Sequence, residues 1–299
     1  MTEKVAVVVV TYNRADLLAT MLDGLGRLDR APDAVIVVDN ASTDHTPDVL
    51  AASTLPGLQT IRTTDNLGGA GGFHLGLRTA HDQGFDAMWL MDDDVVPAPD
   101  CLTRLLEVDA SALISVREDL AGALIEKAAL RFDLRNPLAI RPKTASIDST
   151  YASRADMPAT VEVENVAFEG FLVRREVVDR IGLPDPSFFI FYDDVDYAIR
   201  ARRAGFPILA VRDAVLVRQL DFNQQHDLSG WKGYYMYRNL FAVHFRYAEN
   251  PAVRLKPWLI ALVVVLLSPV RGGRAEARNV IRAVRDARRM RRPDPSALP

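Results

Sequence analysis

Six consecutive apolar residues, 5–10, give way abruptly to Thr11-Tyr12-Asn13-Arg14, and the same switch recurs twice before residue 95. The run 34–38 ends in Asp39-Asn40-Ala41-Ser42, and the run 87–91 ends in Asp92-Asp93-Asp94. Short continuous apolar runs with polar ends predict strands buried on both faces. Between them, apolar spacing predicts helices over 15–28 and 72–83, and 58–62 reads as a further strand. Strands and helices alternating at this spacing predict an α/β fold with a mostly parallel sheet covered by helices. Ligands of such sheets bind beyond the carboxyl ends of the strands. All three polar clusters fall there, which implies one shared crevice.

Asp65-Asn66-Leu67-Gly68-Gly69-Ala70-Gly71-Gly72-Phe73 lies between two of these clusters and places four glycines just before a predicted helix. Glycines there permit close backbone approach and positive φ at a helix N-terminus, which suits a diphosphate. A flexible loop is the plainer reading, since the segment matches neither the Walker nor the dinucleotide fingerprint. A Rossmann dehydrogenase would carry its GxGxxG after the first strand, where Thr11-Tyr12-Asn13-Arg14 stands instead.

The aspartate triad poses an electrostatic problem. If the strand continues, Asp92 and Asp94 share one face and Asp93 takes the other. At about 4 Å and an effective dielectric of about 20, each repulsion costs on the order of 4 kcal/mol, which a bound divalent cation reverses. Hard oxygen donors suit Mg²⁺ or Mn²⁺. A solvated acidic loop leading into the next helix is the alternative, because Pro97, Pro99 and Asp100 mark a helix start.

The pattern weakens over 123–158, where Arg, Pro and Ser interleave and an irregular region is expected. Residues 161–168 read as a strand leading into Glu169-Gly170-Phe171, and 176–181 as a helix. A second acidic cluster follows, Phe188-Phe189-Ile190-Phe191-Tyr192-Asp193-Asp194-Val195-Asp196-Tyr197, with carboxylates set among five aromatic residues. Desolvation there raises a carboxylate pKa and favours a base. Residues 196–203 read as a helix in which Arg200 can pair with Asp196 four residues back. Capping of that helix by Asp193 or Asp194 is the structural alternative.

Towards the C-terminus, 258–267 is a ten-residue apolar run. As a helix it spans about 15 Å, against a hydrocarbon core of about 30 Å, so the run by itself is too short to cross a bilayer. Beyond it Arg271, Arg274, Arg278, Arg282, Arg285, Arg289 and Arg292 recur every three or four residues, on one helical stripe. Val280, Ile281, Val284 and Ala287 fall largely on another face. This is the pattern of an amphipathic helix on an anionic membrane surface; a solvated helix docked on the protein's own core is the alternative. No recognition motif accompanies the arginines, so nucleic acid is not an expected partner.

Composition adds limits. The 299 residues carry a net charge of -3, with acids in the motifs and arginines in the tail. The single cysteine, Cys101, excludes an intramolecular disulfide and a cysteine-built metal site. The run 5–10 is too short for the apolar region of a signal peptide, so the expected location is cytoplasmic.

In their order, these motifs make the chain resemble inverting family 2 glycosyltransferases of the GT-A nucleotide-diphospho-sugar transferase fold, over roughly residues 5–239. Asn66 to Phe73, Met91 to Asp94 and Phe191 to Tyr197 are most similar to actinobacterial galactofuranosyltransferases, with a looser similarity to bacterial rhamnosyltransferases. The resemblance implies a catalytic domain over 1–228 and a helical extension over 229–299. It implies Asp39 at the uracil base with Thr11 and Asn13 nearby, and Asn66, Gly69 and Gly71 along the diphosphate. Asp92 and Asp94 would hold Mn²⁺ or Mg²⁺ and the donor, with Asp93 between them. Asp194 is the implied base, Asp193 its neighbour, and Glu169, Gly170 and Phe171 the implied acceptor pocket. Trp231-Lys232-Gly233-Tyr234-Tyr235-Met236-Tyr237-Arg238-Asn239 resembles a WxxYYxxRN segment of the same enzymes. Where members commonly place a metal-binding histidine, this chain has Arg218, which cannot ligate a cation; it would contact the diphosphate, with His226 as a candidate replacement ligand. The implied reaction moves galactofuranose from UDP to a polyprenyl-diphosphate-linked glycan in galactan synthesis, by an enzyme held peripherally at the cytoplasmic side of the membrane. A dTDP-rhamnose-dependent rhamnosyltransferase and a non-catalytic nucleotide-sugar-binding scaffold are the other readings.

Overall fold

Val5–Thr11 (β1) is buried along its whole length, as a strand covered on both faces must be. The computed structural model describes residues 3–139, 142–220, 230–270 and 273–290. The elements after β1 are α1 (Ala15–Leu25), β2 (Ala34–Asp39), α2 (Thr46–Ala52), β3 (Leu58–Arg62), α3 (Gly68–Asp82), β4 (Ala87–Asp92), β5 (Val95–Pro97), α4 (Cys101–Leu106) and β6 (Ala112–Glu118). Next come β7 (Ala129–Phe132), β8 (Lys143–Ser146), α5 (Ile147–Thr150), β9 (Thr160–Val163), β10 (Phe171–Arg174), α6 (Arg175–Ile181), α7 (Asp193–Arg203) and β11 (Ile208–Arg218). Three helices follow, α8 (Trp231–Tyr247), α9 (Pro251–Leu267) and α10 (Gly273–Arg289).

The main sheet runs β3-β2-β1-β4-β10-β6-β11-β5, with β9 paired to β11. Strands β3, β2, β1 and β4 are mutually parallel, as are β6 and β11. The short β10 lies antiparallel between β4 and β6 and joins the two parallel groups. In-register pairing of Thr11 with Asp39 and of Val10 with Asp92 brings the ends of β1, β2 and β4 together. The shared crevice expected from the three polar clusters is therefore present.

Helix α3 begins at Gly68 rather than at residue 72, so most of the glycine segment is helical. A Cβ at Gly72 would lie 2.5 Å from Val10 Cγ1, and one at Gly76 would lie 2.4 Å from Val8 Cγ1. These glycines let α3 press directly onto β1. Helix α7 likewise begins three residues earlier than the pattern suggests, at Asp193. The irregular stretch over 123–158 contains the antiparallel β7–β8 pair, and the strand expected over 161–168 is only Thr160–Val163.

The basic C-terminal helix differs most from the membrane-facing reading. Val280, Ala283, Val284 and Ala287 of α10 are buried in a cluster with Tyr237 and Phe241 of α8, so its apolar face is docked on the protein. Among the described residues of the stripe, Arg274, Arg278, Arg282, Arg285 and Arg289 are exposed; Arg271 and Arg292 lie outside them. Among the described residues, exposed apolar surface belongs to α9 instead, where Leu259 is 59% exposed, Leu262 56% and Leu266 68%. The helix is also longer than its apolar run. With the short 3-10 turn that follows it, the helix runs over Pro251–Val270, 20 residues with an 18-residue window of mean hydropathy 1.8, long and apolar enough to cross a membrane by length and composition alone.

Candidate active site

Strand β4 ends at Asp92, so the pleat does not continue through the triad and the expected alternation stops there. Asp93 and Asp94 lie in a turn and converge on one guanidinium: Arg14 Nη1 is 2.9 Å from Asp93 Oδ1 and 3.3 Å from Asp94 Oδ2. Thr11 Oγ1 donates to Asp93 Oδ2 at 2.7 Å, so both Thr11 and Asp93 are buried structural supports of the turn. Burial raises the pKa of Asp93, and Arg14 and Thr11 oppose it. Asp92 is pushed well above the ordinary carboxylate range by burial, then by Glu169, Asp94 and Asp93. Asp94 is raised by burial and by Glu169, with Arg218, Arg14 and Arg117 opposing.

Asp94 Oδ1 is buried without a hydrogen-bond partner among the described residues. Hard oxygen donors crowded against one another, one of them unpartnered, fit a divalent cation. Among the described residues no group of three or more His, Cys, Asp or Glu side chains converges as a metal cage. Asp92 and Asp94 would therefore supply only part of a coordination shell. His226 lies outside the described residues.

Arg218, at the end of β11, points into the same group, with Nη2 3.6 Å from Asp94 Oδ2 and Nη1 3.5 Å from Glu169 Oε2. Glu169 is also paired with Arg117, whose Nε and Nη2 each lie 2.8 Å from Glu126. Burial opposes ionisation of Glu169, but Arg117 and Arg218 overcome it and hold its pKa below the usual value. Of the three expected acceptor residues, only Glu169 lines the cleft. Gly170 has φ +100°, and a Cβ there would lie 2.4 Å from Leu216 Cδ1. Phe171 is fully buried against Phe168 and Tyr197. Both are framework, because β10 must fit between β4 and β6.

At the other strand ends, Asp39 is buried and its carboxylate accepts from Ser42 N at 2.9 Å and Arg62 Nη1 at 3.1 Å. Asn13, at φ 53°, accepts from Thr43 N at 2.7 Å and shapes the loop beside Asp39. Asn66 Oδ1 accepts from Gly68 N at 2.8 Å and orders the start of α3. Gly69 lines the cleft, and a Cβ there would meet no atom of the described residues within 4 Å. Gly71 is instead packed, with its Cβ position 2.6 Å from Leu67 Cβ.

Across the cleft, Asp193 and Asp194 open α7, whose N-cap is Tyr192 in the left-handed conformation, with no side-chain capping hydrogen bond among the described residues. Asp194 Oδ1 accepts from Val195 N at 2.7 Å. Burial lifts the pKa of Asp194 to about 6; the Val195 amide opposes, Glu169 adds to the rise, and Arg117 opposes. Asp193 is raised well above the carboxylate range by burial and by Asp194. Two adjacent carboxyls with protonation pushed apart suit one ionised base and one retained proton. Asp196, by contrast, is structural: it accepts from Arg200 Nε and Arg246 Nη1, each at 2.9 Å, and from Tyr247 Oη at 2.7 Å.

Asp92, Asp94, Glu169, Asp193, Asp194 and Arg218 share one cleft of about 830 Å³. Arg14, Arg117, Lys127 and Lys143 also line it, and the sequence pattern assigned none of them a role. Arg14 carried a usable signal, since it follows a buried strand whose neighbours end in acids. Arg117 and Glu169 are 52 residues apart and meet only through β6 and β10.

A mostly parallel sheet, acids at its strand ends beside a glycine-started helix, and a carboxyl pair facing them across a cleft define a GT-A glycosyltransferase. The chain belongs to the family described as glycosyltransferase like family 2, whose model matches residues 3–235. It is 36% identical over 209 residues to the galactofuranosyltransferase GlfT1 of Mycolicibacterium smegmatis, covering 69% of this chain and 68% of that one. It is 26% identical over 224 residues to an N-acetylglucosaminyl-diphospho-decaprenol L-rhamnosyltransferase of Mycobacterium tuberculosis, covering 69% and 73%. Among solved structures, the mannosyltransferase PcManGT of Pyrobaculum calidifontis in complex with GDP-Man and Mn²⁺ shares the fold. Its TM-score is 0.56 at 23% identity, covering 99% of this chain and 78% of that one. By its family and its similarity to GlfT1, the chain is a hexosyltransferase.

Proposed function

We propose that this enzyme transfers galactofuranose from UDP-galactofuranose to a polyprenyl-diphosphate-linked glycan, with inversion, in cell-wall galactan assembly. The observation that carries the reading is the 36% identity to GlfT1 over 209 residues, 69% of this chain. The donor diphosphate lies among Asp92, Asp94, Arg14, Arg218 and the Gly69 end of α3, with the uracil towards Asp39 and Asn13. Ionised Asp194 takes the proton of an acceptor hydroxyl, whose oxygen attacks the anomeric carbon from the face opposite the diphosphate. The C–O bond to the diphosphate breaks as the new glycosidic bond forms, so no covalent enzyme intermediate arises. Arg14 and Arg218 meet the charge growing on the leaving diphosphate. A divalent cation held by Asp92 and Asp94 supplies further electrostatic stabilisation of that charge when bound.

The exposed apolar face of α9 and the exposed arginines of α10 support peripheral attachment to an anionic membrane on the cytoplasmic side, where a polyprenyl-linked acceptor resides. The helical extension from residue 229 is then the membrane-facing part and 1–228 the catalytic part. The weaker match to a rhamnosyltransferase supports dTDP-rhamnose as the second donor to test. A non-catalytic scaffold is disfavoured by the raised pKa of Asp194, which a binding module does not need.

Purified protein incubated with UDP-galactofuranose or dTDP-rhamnose and polyprenyl-diphosphate-linked acceptors decides the donor. Product from the UDP sugar alone is expected. Transfer only from dTDP-rhamnose, or from neither donor with any acceptor, overturns the reading.

A further inference from the structure

The loop before Asp193 and Asp194 has an unfavourable backbone. Phe189, Phe191 and Tyr192 have φ of 64°, 66° and 66°. Non-glycine residues in this region each cost on the order of 1–2 kcal/mol, so something outside the loop must hold it. Two elements do. On one side, Ala70 N at the start of α3 donates to Phe189 O at 3.2 Å. A Cβ at Gly68 would lie only 2.0 Å from that oxygen, so glycine is required for the contact. On the other side, Asn239 of α8 is fully buried, and its amide Nδ2 lies 3.0 Å from Phe188 O, 2.7 Å from Ile190 O and 2.9 Å from Phe191 O. Its neighbour Arg238 donates from Nη2 to Ser187 O at 2.7 Å and Phe188 O at 2.8 Å.

We propose that Asn239, assisted by Arg238, is a positioning residue for catalysis: it gathers the carbonyls of 188–191 and so fixes where Asp194 enters the cleft. The inference rests on Asp194 being the base. Asn239 sits in the resembling WxxYYxxRN segment, yet it does not itself line the cleft and reaches it through the carbonyls of the lining residues Ile190 and Phe191. Its amide has two hydrogens, shared among three carbonyls, and no other neutral side chain of its size offers the same donors in place. A displacement of about 1 Å at the base lowers turnover by about 100-fold, while the ends of β1, β2 and β4, which carry Asp39, Asp92 and Asp94, stay in place.

The test compares Asn239→Ala, Arg238→Met and Asp194→Asn with the wild-type full chain, by thermal unfolding, UDP affinity and steady-state kinetics. For Asn239→Ala a kcat lower by about 100-fold is expected, with donor KM and UDP affinity within about threefold. Arg238→Met loses about tenfold in kcat by the same split. Equal loss of kcat and UDP affinity in Asn239→Ala, or wild-type kcat, overturns the proposal. If Asn239→Ala does not fold, Arg238→Met decides, and wild-type kcat there overturns it. Turnover retained in Asp194→Asn overturns the base assignment and the positioning role with it; an inactive Asp194→Asn beside a fully active Asn239→Ala removes only the positioning role.

Discussion

Arg218 Nη2 lies 3.6 Å from Asp94 Oδ2, which joins the end of β11 to the turn that closes β4. The guanidinium also reaches Glu169 at 3.5 Å, so it is held from two sides with its charge towards the cleft. A fixed cation there is suited to a diphosphate. Arg218→Ala is expected to weaken UDP binding and to lower kcat by about 100-fold, the scale of losing one preorganised charge at a leaving group. Arg218→Lys keeps the charge without the planar fork and recovers part of the loss. Calorimetric UDP titration and initial rates check both, and wild-type behaviour of Arg218→Ala refutes the role.

Asp194, with a pKa of about 6, sets the acid limb of the pH profile. A base works when ionised, so kcat/KM should rise as pH passes upward through about 6 and level off above it. Replacing it with asparagine removes the base and should lower kcat by about 10²- to 10⁴-fold while UDP affinity stays unchanged. A rate flat from about pH 5 to about pH 7 rules the assignment out.

Asp92 presents the opposite side of the ledger, stability. Its folded pKa is raised, by burial and by Glu169, Asp94 and Asp93, above that of an unfolded aspartate. The folded state therefore binds this proton more tightly than the unfolded state. As pH rises from the unfolded value of about 3.9 towards the raised folded one, ionisation costs the fold stability. Asp92→Asn removes that cost. Without added metal at neutral pH, its Tm is expected to rise by about 2–4 °C, the shift that about 1 kcal/mol produces in a large domain. Activity is lost with it. A lower Tm in differential scanning calorimetry contradicts the electrostatic account, and added Mn²⁺ should stabilise the wild type more than the variant.

The parts of this architecture legible from residues alone are those with local signals. Strands β1, β2 and β4 announce themselves because continuous burial demands continuous apolar sequence, and their polar ends mark the crevice. The four-residue β10 carries no such signal, since its place between β4 and β6 depends on pairing across the chain. The glycines of α3 are ambiguous locally: a phosphate loop and a helix pressed against Val8 and Val10 both need a missing Cβ. The α10 pattern is ambiguous in the same way, because amphipathicity reports that a face is covered and not by what. Asn239 and Arg238 stand out only through the WxxYYxxRN resemblance, because the carbonyls they hold lie 48 to 51 residues earlier in the chain.

Membrane attachment needs a test that respects this packing. Deleting the chain beyond Lys256 would remove α10 and strip Val280, Ala283, Val284 and Ala287 from the core they share with α8, so lost binding would report lost structure. Substitution of the exposed α9 face avoids that. Leu259→Ser, Leu262→Ser and Leu266→Ser together leave the α8–α10 interface intact, since all three side chains are more than half exposed. Each full leucine burial contributes about 1.5–3 kcal/mol, and even a partial loss over three positions lowers affinity for anionic vesicles by at least about tenfold. Replacing Arg274, Arg278 and Arg285 with glutamine should weaken binding in a salt-dependent way, by about 1 kcal/mol for each charge near the surface. Vesicle co-sedimentation over a range of ionic strength reads both effects. Full binding by the triple serine variant removes α9 as the anchor, and salt-independent binding by the wild type removes the arginines.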